Sequence, residues 1–310
     1  MADLHKNLLP YVERATAGPP AWELSLETLR AGPELENPEI WGLPDVVDEV
    51  VDLMIPGPAG PLRVRVYRPR STELLPVVIW FHGGGWVVGT IESHDPVCRA
   101  LANRTPCVVV SVDYRLAPES PFPAAIDDSW FATQWVAEEA LKLGADASRI
   151  VVAGDSAGGN LAAAVALRAR DAGLELALHA LVYPVTHFDL DSESYLRLAS
   201  GLNLTRAKME WYWRQYLGEA DGLHPDASPL RAPDLTGVAP ALVQVAEHDP
   251  LLSEGEAYAV RLAEAGVRVT LTRYDGMIHG FIRMPALVAE ADFSLAEIAS
   301  KVADLPTGGD

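Results

Sequence analysis

The chain has 310 residues, 49% of them apolar, and a net charge of -19 from 24 Lys+Arg against 43 Asp+Glu. That length accommodates one large α/β domain with an attached piece, or two domains, and the apolar fraction is ordinary for a globular protein. The acidic excess argues against a nucleic-acid or phosphate-binding surface, whose footprint is basic, and speaks for solubility, not for a fold.

Residues 1–45 mix polar and apolar positions and carry prolines at 10, 19, 20, 33, 38 and 44, which predicts short helices strung on turns. Residues 50–55 and 62–67 read as two strands joined by a Gly57-Pro58-Ala59-Gly60 turn. The second alternates apolar and basic residues, as a half-exposed antiparallel strand does. Runs of the buried parallel type, apolar throughout or but for one residue, follow at 77–81, 107–112, 150–153 and 176–183, with helical segments between them. Residues 187–225 break the pattern with aromatic and polar residues. Sheet texture resumes at 241–246, then come a helix at 253–265, a last strand at 267–274 and a C-terminal helix at 289–302. The Gly308-Gly309-Asp310 tail reads as disordered. Alternating strands and helices predict a mostly parallel sheet covered on both faces, with its site beyond the carboxyl ends of the strands.

Cys98 and Cys107 are the two cysteines; they imply no disulfide framework and read as buried packing. No apolar run approaches the roughly 18 residues that suggest a membrane-crossing helix. Met1-Ala2-Asp3-Leu4-His5-Lys6 lacks a charged-then-apolar signal region. The expectation is a cytoplasmic protein without membrane insertion.

Two glycine-rich stretches carry the chemistry. Gly154-Asp155-Ser156-Ala157-Gly158 follows the 150–153 run and precedes the alanine-rich helix former Asn160-Leu161-Ala162-Ala163-Ala164. It reads G-x-S-x-G, the nucleophile elbow, in which a sharp strand-to-helix turn lifts the serine hydroxyl clear of the sheet. His82-Gly83-Gly84-Gly85-Trp86 follows the 77–81 run and has the form of an oxyanion loop. Glycines let backbone N–H groups approach a reacting atom without a Cβ in the way. The expected oxyanion donors are the N–H groups of Gly84, Gly85 and Ala157. Gly83 is expected to shape the turn and His82 to fix the loop through hydrogen bonds.

A serine hydroxyl needs a base, and the base needs an acid to orient it. The chain order serine, acid, histidine assigns Ser156, Asp249 in Glu247-His248-Asp249-Pro250-Leu251, and His279 in Met277-Ile278-His279-Gly280. That order leaves no earlier acid for His248 unless Glu247 or another residue replaces Asp249. Asp275 is a weaker rival acid, too close in sequence to His279 to reach around its ring.

In these motifs, with Asp113-Tyr114-Arg115-Leu116-Ala117-Pro118-Glu119, Phe122-Pro123-Ala124-Ala125 and Asp249-Pro250-Leu251, the chain resembles the GDSAG branch of the hormone-sensitive-lipase family of bacterial esterases from about residue 45 onward. Leu252-Ser253-Glu254 departs from the Arg-Asp-Glu run the family often has there, which puts local salt bridging in doubt. The resemblance implies an α/β-hydrolase fold: a mostly parallel central sheet with helices on both faces and a helical cap. Residues 1–45 and 187–225 would form the cap, and 46–186 and 226–310 the two parts of the core. It implies hydrolysis of small-molecule esters with short to medium acyl chains, without metal or cofactor, and a structural role for 113–119 under the oxyanion turn. Trp86, Leu204, Trp211 and Tyr212 are candidates to line the substrate pocket. The aromatics of 211–216, Trp213 and Tyr216 included, read first as packing inside the cap, with some of them lining the pocket as well.

The same triad serves amidases and acyltransferases. Some non-catalytic ligand receptors resemble the family but lack the histidine, whose position His279 fills here. Epoxide and haloalkane hydrolysis would need a carboxylate at Ser156. No nucleic-acid partner is expected, and the strand at 267–274 offers an edge for a homodimer.

Overall fold

The computed structural model describes residues 4–31 and 38–306. The expected C-terminal tail, and residues 1–3 and 32–37 of the expected N-terminal helical segment, lie outside the described residues. In chain order come helices α1 (Leu9–Ala17), α2 (Leu26–Arg30) and α3 (Pro38–Trp41), then strands β1 (Glu49–Gly57), β2 (Gly60–Arg68) and β3 (Leu75–Phe81). These are followed by α4 (Ile91–Arg104), β4 (Val108–Val112), α5 (Ala124–Glu139), β5 (Ala145–Asp155), α6 (Ala157–Ala172) and β6 (Leu178–Val182). Two helices, α7 (Glu193–Arg197) and α8 (Arg206–Leu217), precede β7 (Ala241–His248), α9 (Leu252–Glu264), β8 (Val269–Ile278) and α10 (Ala289–Ala303).

The strands form one eight-stranded sheet in the order β1-β2-β4-β3-β5-β6-β7-β8. The pairs β1–β2 and β2–β4 are antiparallel, and every pair from β4–β3 to β7–β8 is parallel. The sheet is mostly parallel, as the apolar runs predict.

Side chains alternate across each strand, and the sheet divides its apolar residues between two cores. Val77, Ile79 and Phe81 of β3 face one side with apolar residues of α5, α6 and α9. Val78 and Trp80 face the other with residues of α1, α4 and α10. Both faces are covered, so strands whose every residue is apolar are the economical choice.

One boundary matters for the site. The pairing of β7 with β8 shifts between Ala246 and His248 and resumes at His248 opposite Ile278. The strand expected to end at 274 therefore runs to Ile278, and His279 stands directly at its carboxyl end instead of in a free loop. Among the described residues, no helix is long and apolar enough to cross a membrane.

Candidate active site

Ser156 sits between β5 and α6 with φ 56° and ψ −118°. A positive φ at a non-glycine residue is strained and persists only where the surroundings over-determine it. Here they do. A Cβ at Gly154 would lie 2.5 Å from the carbonyl oxygens of both Phe81 and Gly158, and one at Gly158 would lie 1.9 Å from the Phe81 oxygen. The turn thus has no room for a side chain two residues either side of the serine. Ser156 donates its N–H to the Val182 oxygen at 2.9 Å. Asn160, buried one turn into α6, donates to the carbonyls of Val185 at 2.9 Å and Ala227 at 2.8 Å, which anchors the helix start.

Three strand ends bring three side chains together. Ser156 Oγ lies 2.9 Å from His279 Nε2, and His279 Nδ1 lies 2.7 Å from Asp249 Oδ2. The other oxygen of Asp249 accepts the Leu251 N–H at 2.9 Å. Asp249 is fully buried, and His279 keeps 12% of its side-chain surface exposed. The rivals lie elsewhere. His248 turns toward Glu247, 3.8 Å away, and Asp275 is 81% exposed and paired with Arg273.

Above the serine, residues 82–86 form the glycine loop. His82 is fully buried and stacked on Tyr114 with ring centroids 4.2 Å apart. Its Nδ1 lies 2.9 Å from the Gly83 oxygen, and Tyr114 Oη donates to the His82 oxygen at 2.7 Å. Gly84 and Gly85 have φ of 127° and 58°. A Cβ at Gly84 would meet the Val88 oxygen at 2.1 Å, and one at Gly85 the Tyr212 ring at 2.4 Å. The Gly83 N–H is committed to Asp155 Oδ1 at 2.9 Å. Those of Gly84 and Gly85 donate to no protein acceptor among the described residues. Ala157, first residue of α6, has the open N–H of a helix start, and no acid in the first turn opposes the helix dipole there.

A buried pair under the loop was not legible in the sequence. His94 Nε2 lies 3.1 Å from Asp155 Oδ1, and both side chains are almost wholly buried. Burial pushes Asp155 upward, but His94, the charge of Arg283 and the Gly83 N–H together hold it below the ordinary carboxylate value. Burial lowers His94, against the pull of Asp155. Burial also pushes His82 down to about 3, helped by neighbouring His94 and opposed by the Gly83 carbonyl. A lone histidine within α4 gives no local cue to this pairing.

The 113–119 segment packs under the loop. Ala117 donates its N–H to the Trp86 oxygen at 2.9 Å. Arg30 bridges the carbonyls of Val87 (2.9 Å) and Ala117 (3.0 Å) and pairs with Glu119. These partners are far apart in the chain, so no spacing announces Arg30. Where the family often has Arg-Asp-Glu, Glu254 accepts the Thr186 N–H at 2.6 Å, and Ser253 Oγ accepts that of Ser194 at 3.1 Å.

A cavity of about 420 Å³ opens in front of Ser156 and His279, lined in part by Gly84, Gly85, Leu204 and Tyr212. Two expected lining residues are not on its wall. Trp86 is fully buried and stacked on Tyr216, centroids 4.0 Å apart, because the turn at Gly85 sends it away from the cavity into the packing under α8. Trp211 packs on Tyr212, 5.2 Å between centroids, and is not among the residues that line the cavity. A larger concavity of about 800 Å³ opens at the amino ends of β6, β7 and β8, and holds none of the groups above.

Residues 78–283 match the model of a family described as alpha/beta hydrolase fold. The chain belongs to the α/β-hydrolase family, in its hormone-sensitive-lipase-like esterase group. It is 45% identical over 248 residues to esterase LipI of Mycobacterium tuberculosis, covering 78% of each chain. It is 38% identical over 309 residues to an ethyl acetate hydrolase of Pseudomonas putida, covering 95% of this chain and 97% of that one. Among solved structures it is similar to a hyperthermophilic esterase of the archaeon Pyrobaculum calidifontis: 42% identity, 97% and 98% of the chains covered, and a TM-score of 0.89.

Proposed function

We propose that the chain is a carboxylesterase for short- to medium-chain acyl esters, with Ser156 as nucleophile, His279 as base and Asp249 as its orienting acid. The observation that carries this reading is the continuous Oγ···Nε2···Nδ1···Oδ2 path of 2.9 and 2.7 Å, at a serine held in a strained turn. Relatives named as esterases and as an ethyl acetate hydrolase support the substrate class. Ser156 Oγ attacks the ester carbonyl as its proton passes to His279 Nε2, and buried Asp249 balances the imidazolium charge. The N–H groups of Gly84, Gly85 and Ala157 receive the oxyanion; such a donor is worth about 100- to 1,000-fold in rate. His279 then protonates the leaving alcohol, and water hydrolyses the acyl-enzyme through the same histidine.

In this reading the described residues 4–31 and 38–45, with 187–225, form a cap over the strand ends. The two buried free thiols, Cys98 and Cys107, support a cytoplasmic location. The exposed edge of β8, where Leu271 is 42% exposed, is the surface we assign to a homodimer, to be checked by light scattering. The decisive experiment is Ser156→Ala. It should abolish hydrolysis of p-nitrophenyl butyrate and labelling by a fluorophosphonate while the circular dichroism stays unchanged. Near-normal turnover in that variant would overturn the assignment.

A further inference from the structure

The cavity before Ser156 has the opposite sign to the molecule around it. The chain carries 43 acidic against 24 basic side chains, yet the cavity wall takes its formal charges from Arg14, Lys208 and Arg283, with Asp155 as the one acid. That acid is already engaged by the Gly83 N–H and by His94.

Elsewhere the arginines are largely neutralised. Arg63 and Arg65 share Asp52 and Glu92, and Arg168 spans Asp127 and Asp226. The cavity differs. Lys208 is half-buried, and its ammonium has the Asn203 carbonyl at 3.3 Å. Among the described residues neither Lys208 nor Arg14 has a carboxylate within ion-pair distance. Arg283 lies over the Trp41 ring, 5.1 Å from its centroid, and its charge is felt at Asp155.

Helix starts add to the same field. Asn203, Leu204 and Lys208 bring the N-terminus of α8 to the cavity, and Ser156 brings that of α6. Neither helix has an acidic residue in its first turn, so the positive dipole ends stand unopposed there. The wall between these groups is apolar, including Leu29, Ile40 and Met209. A half-buried ammonium without a counter-charge is costly, and an incoming anion would supply one. An acidic protein repels anions at long range, so a basic pocket is what such a substrate would need.

We infer that the cavity takes esters carrying a carboxylate of their own, such as half-esters of dicarboxylic acids, with Lys208 as the principal partner of that carboxylate and Arg14 a second cation. This rests on the ester-hydrolase reading above.

The test uses two matched pairs that differ only by a carboxylate in place of a methyl group. Ethyl hydrogen glutarate against ethyl pentanoate puts the charge on the acyl side. γ-Acetoxybutyrate against butyl acetate puts it on the alcohol side. Acid release is followed in a pH-stat for the full-length wild type, Lys208→Met and Arg14→Met. In at least one pair the charged-to-neutral ratio of kcat/KM should fall about tenfold in Lys208→Met, as for a lost charge-assisted hydrogen bond, and less in Arg14→Met. The ratio cancels any general effect of either substitution on the cavity wall, and an unchanged circular dichroism spectrum reports an intact fold. The wild-type ratio should drop as salt rises from about 0.01 to about 0.5 M, a readout that needs no variant. Ratios indifferent to Lys208, Arg14 and salt in both pairs would overturn the inference while leaving the esterase assignment standing. No turnover of any of the four esters would overturn both.

Discussion

The carboxylate of Asp155 accepts the Gly83 N–H at 2.9 Å, tying the residue before the nucleophile to the loop that carries Gly84 and Gly85. The elbow and the glycine loop are therefore held in register by one buried charge, itself held by His94 at 3.1 Å. Asp155→Ala removes the shorter of the two bonds of the Gly83 N–H, leaving it only His94 Nε2 at 3.3 Å, and takes from His94 its carboxylate. Displacing a reacting group by 1 Å can cost about 100-fold in rate, and breaking a buried pair costs about 3–5 kcal/mol. The expected outcome is a fall in kcat of about 100-fold on p-nitrophenyl butyrate with little change in KM, and a clear drop in Tm. A variant with wild-type kcat would mean that the loop holds its place without this bond.

Two glycines at the ends of α6 separate crowding from backbone strain. At Gly158 a Cβ would sit 1.9 Å from the Phe81 oxygen, whereas at Gly173, with φ +71°, nothing lies within 4 Å. Gly158→Ala must push the elbow off β3, so a loss above about 4 kcal/mol is expected, in the extreme tail of single substitutions. Gly173→Ala carries only the left-handed penalty of about 1–2 kcal/mol. Urea unfolding of the two variants checks the order. Equal losses would show that the contact with Phe81 relaxes freely.

The residues expected to line the pocket divide by what they touch. Trp86 stacks on Tyr216 away from the cavity, whereas Leu204 forms part of its wall. Trp86→Ala should cost about 3–5 kcal/mol as a buried aromatic truncation and leave the ratio of octanoate to butyrate p-nitrophenyl ester turnover in place. Leu204→Ala enlarges the cavity and should move that ratio toward the longer ester by about tenfold, the lower end of what one methylene is worth in an apolar pocket. A shift of the ratio in Trp86→Ala alone would reverse these assignments.

What could be read beforehand follows a physical pattern. Runs such as 77–81 and 150–153 announce buried parallel strands because each residue must face one of two apolar cores. The spacing of Gly154 and Gly158 about Ser156 announces the elbow because the Phe81 carbonyl allows no side chain there. Chain order selected Asp249 and His279, since the fold brings the ends of β7 and β8 to the serine. The end of β8 at Ile278 was hidden because pairing resumes after an irregularity opposite Ala246 and His248, which no alternation in one strand reveals. His94, Asn160 and Arg30 were hidden for a related reason: their partners lie in other elements. Trp86 and Trp211 are absent from the wall, because composition does not say which side of a turn or a helix a ring occupies.

Stability should also respond to pH through a histidine remote from catalysis. His179 is fully buried in β6, and burial pushes its pKa down to about 4 against the opposing carbonyls of Ala239 and Pro240. The unfolded chain binds that proton near pH 6.5. Between these values the unfolded state holds more protons, so stability is fully present above pH 6.5 and is lost as pH falls toward 4. At pH 5 the linkage amounts to about 2 kcal/mol for this one group. His82, pushed down to about 3, acts in the same direction, so the wild type should lose stability steeply on acidification. His179→Leu removes one contribution. The difference in unfolding free energy between pH 7.5 and pH 5, from urea titrations, should shrink by about 2 kcal/mol in the variant. An unchanged difference would mean that His179 already carries a proton in the folded protein at pH 5, with the buried carbonyls of Ala239 and Pro240 holding it.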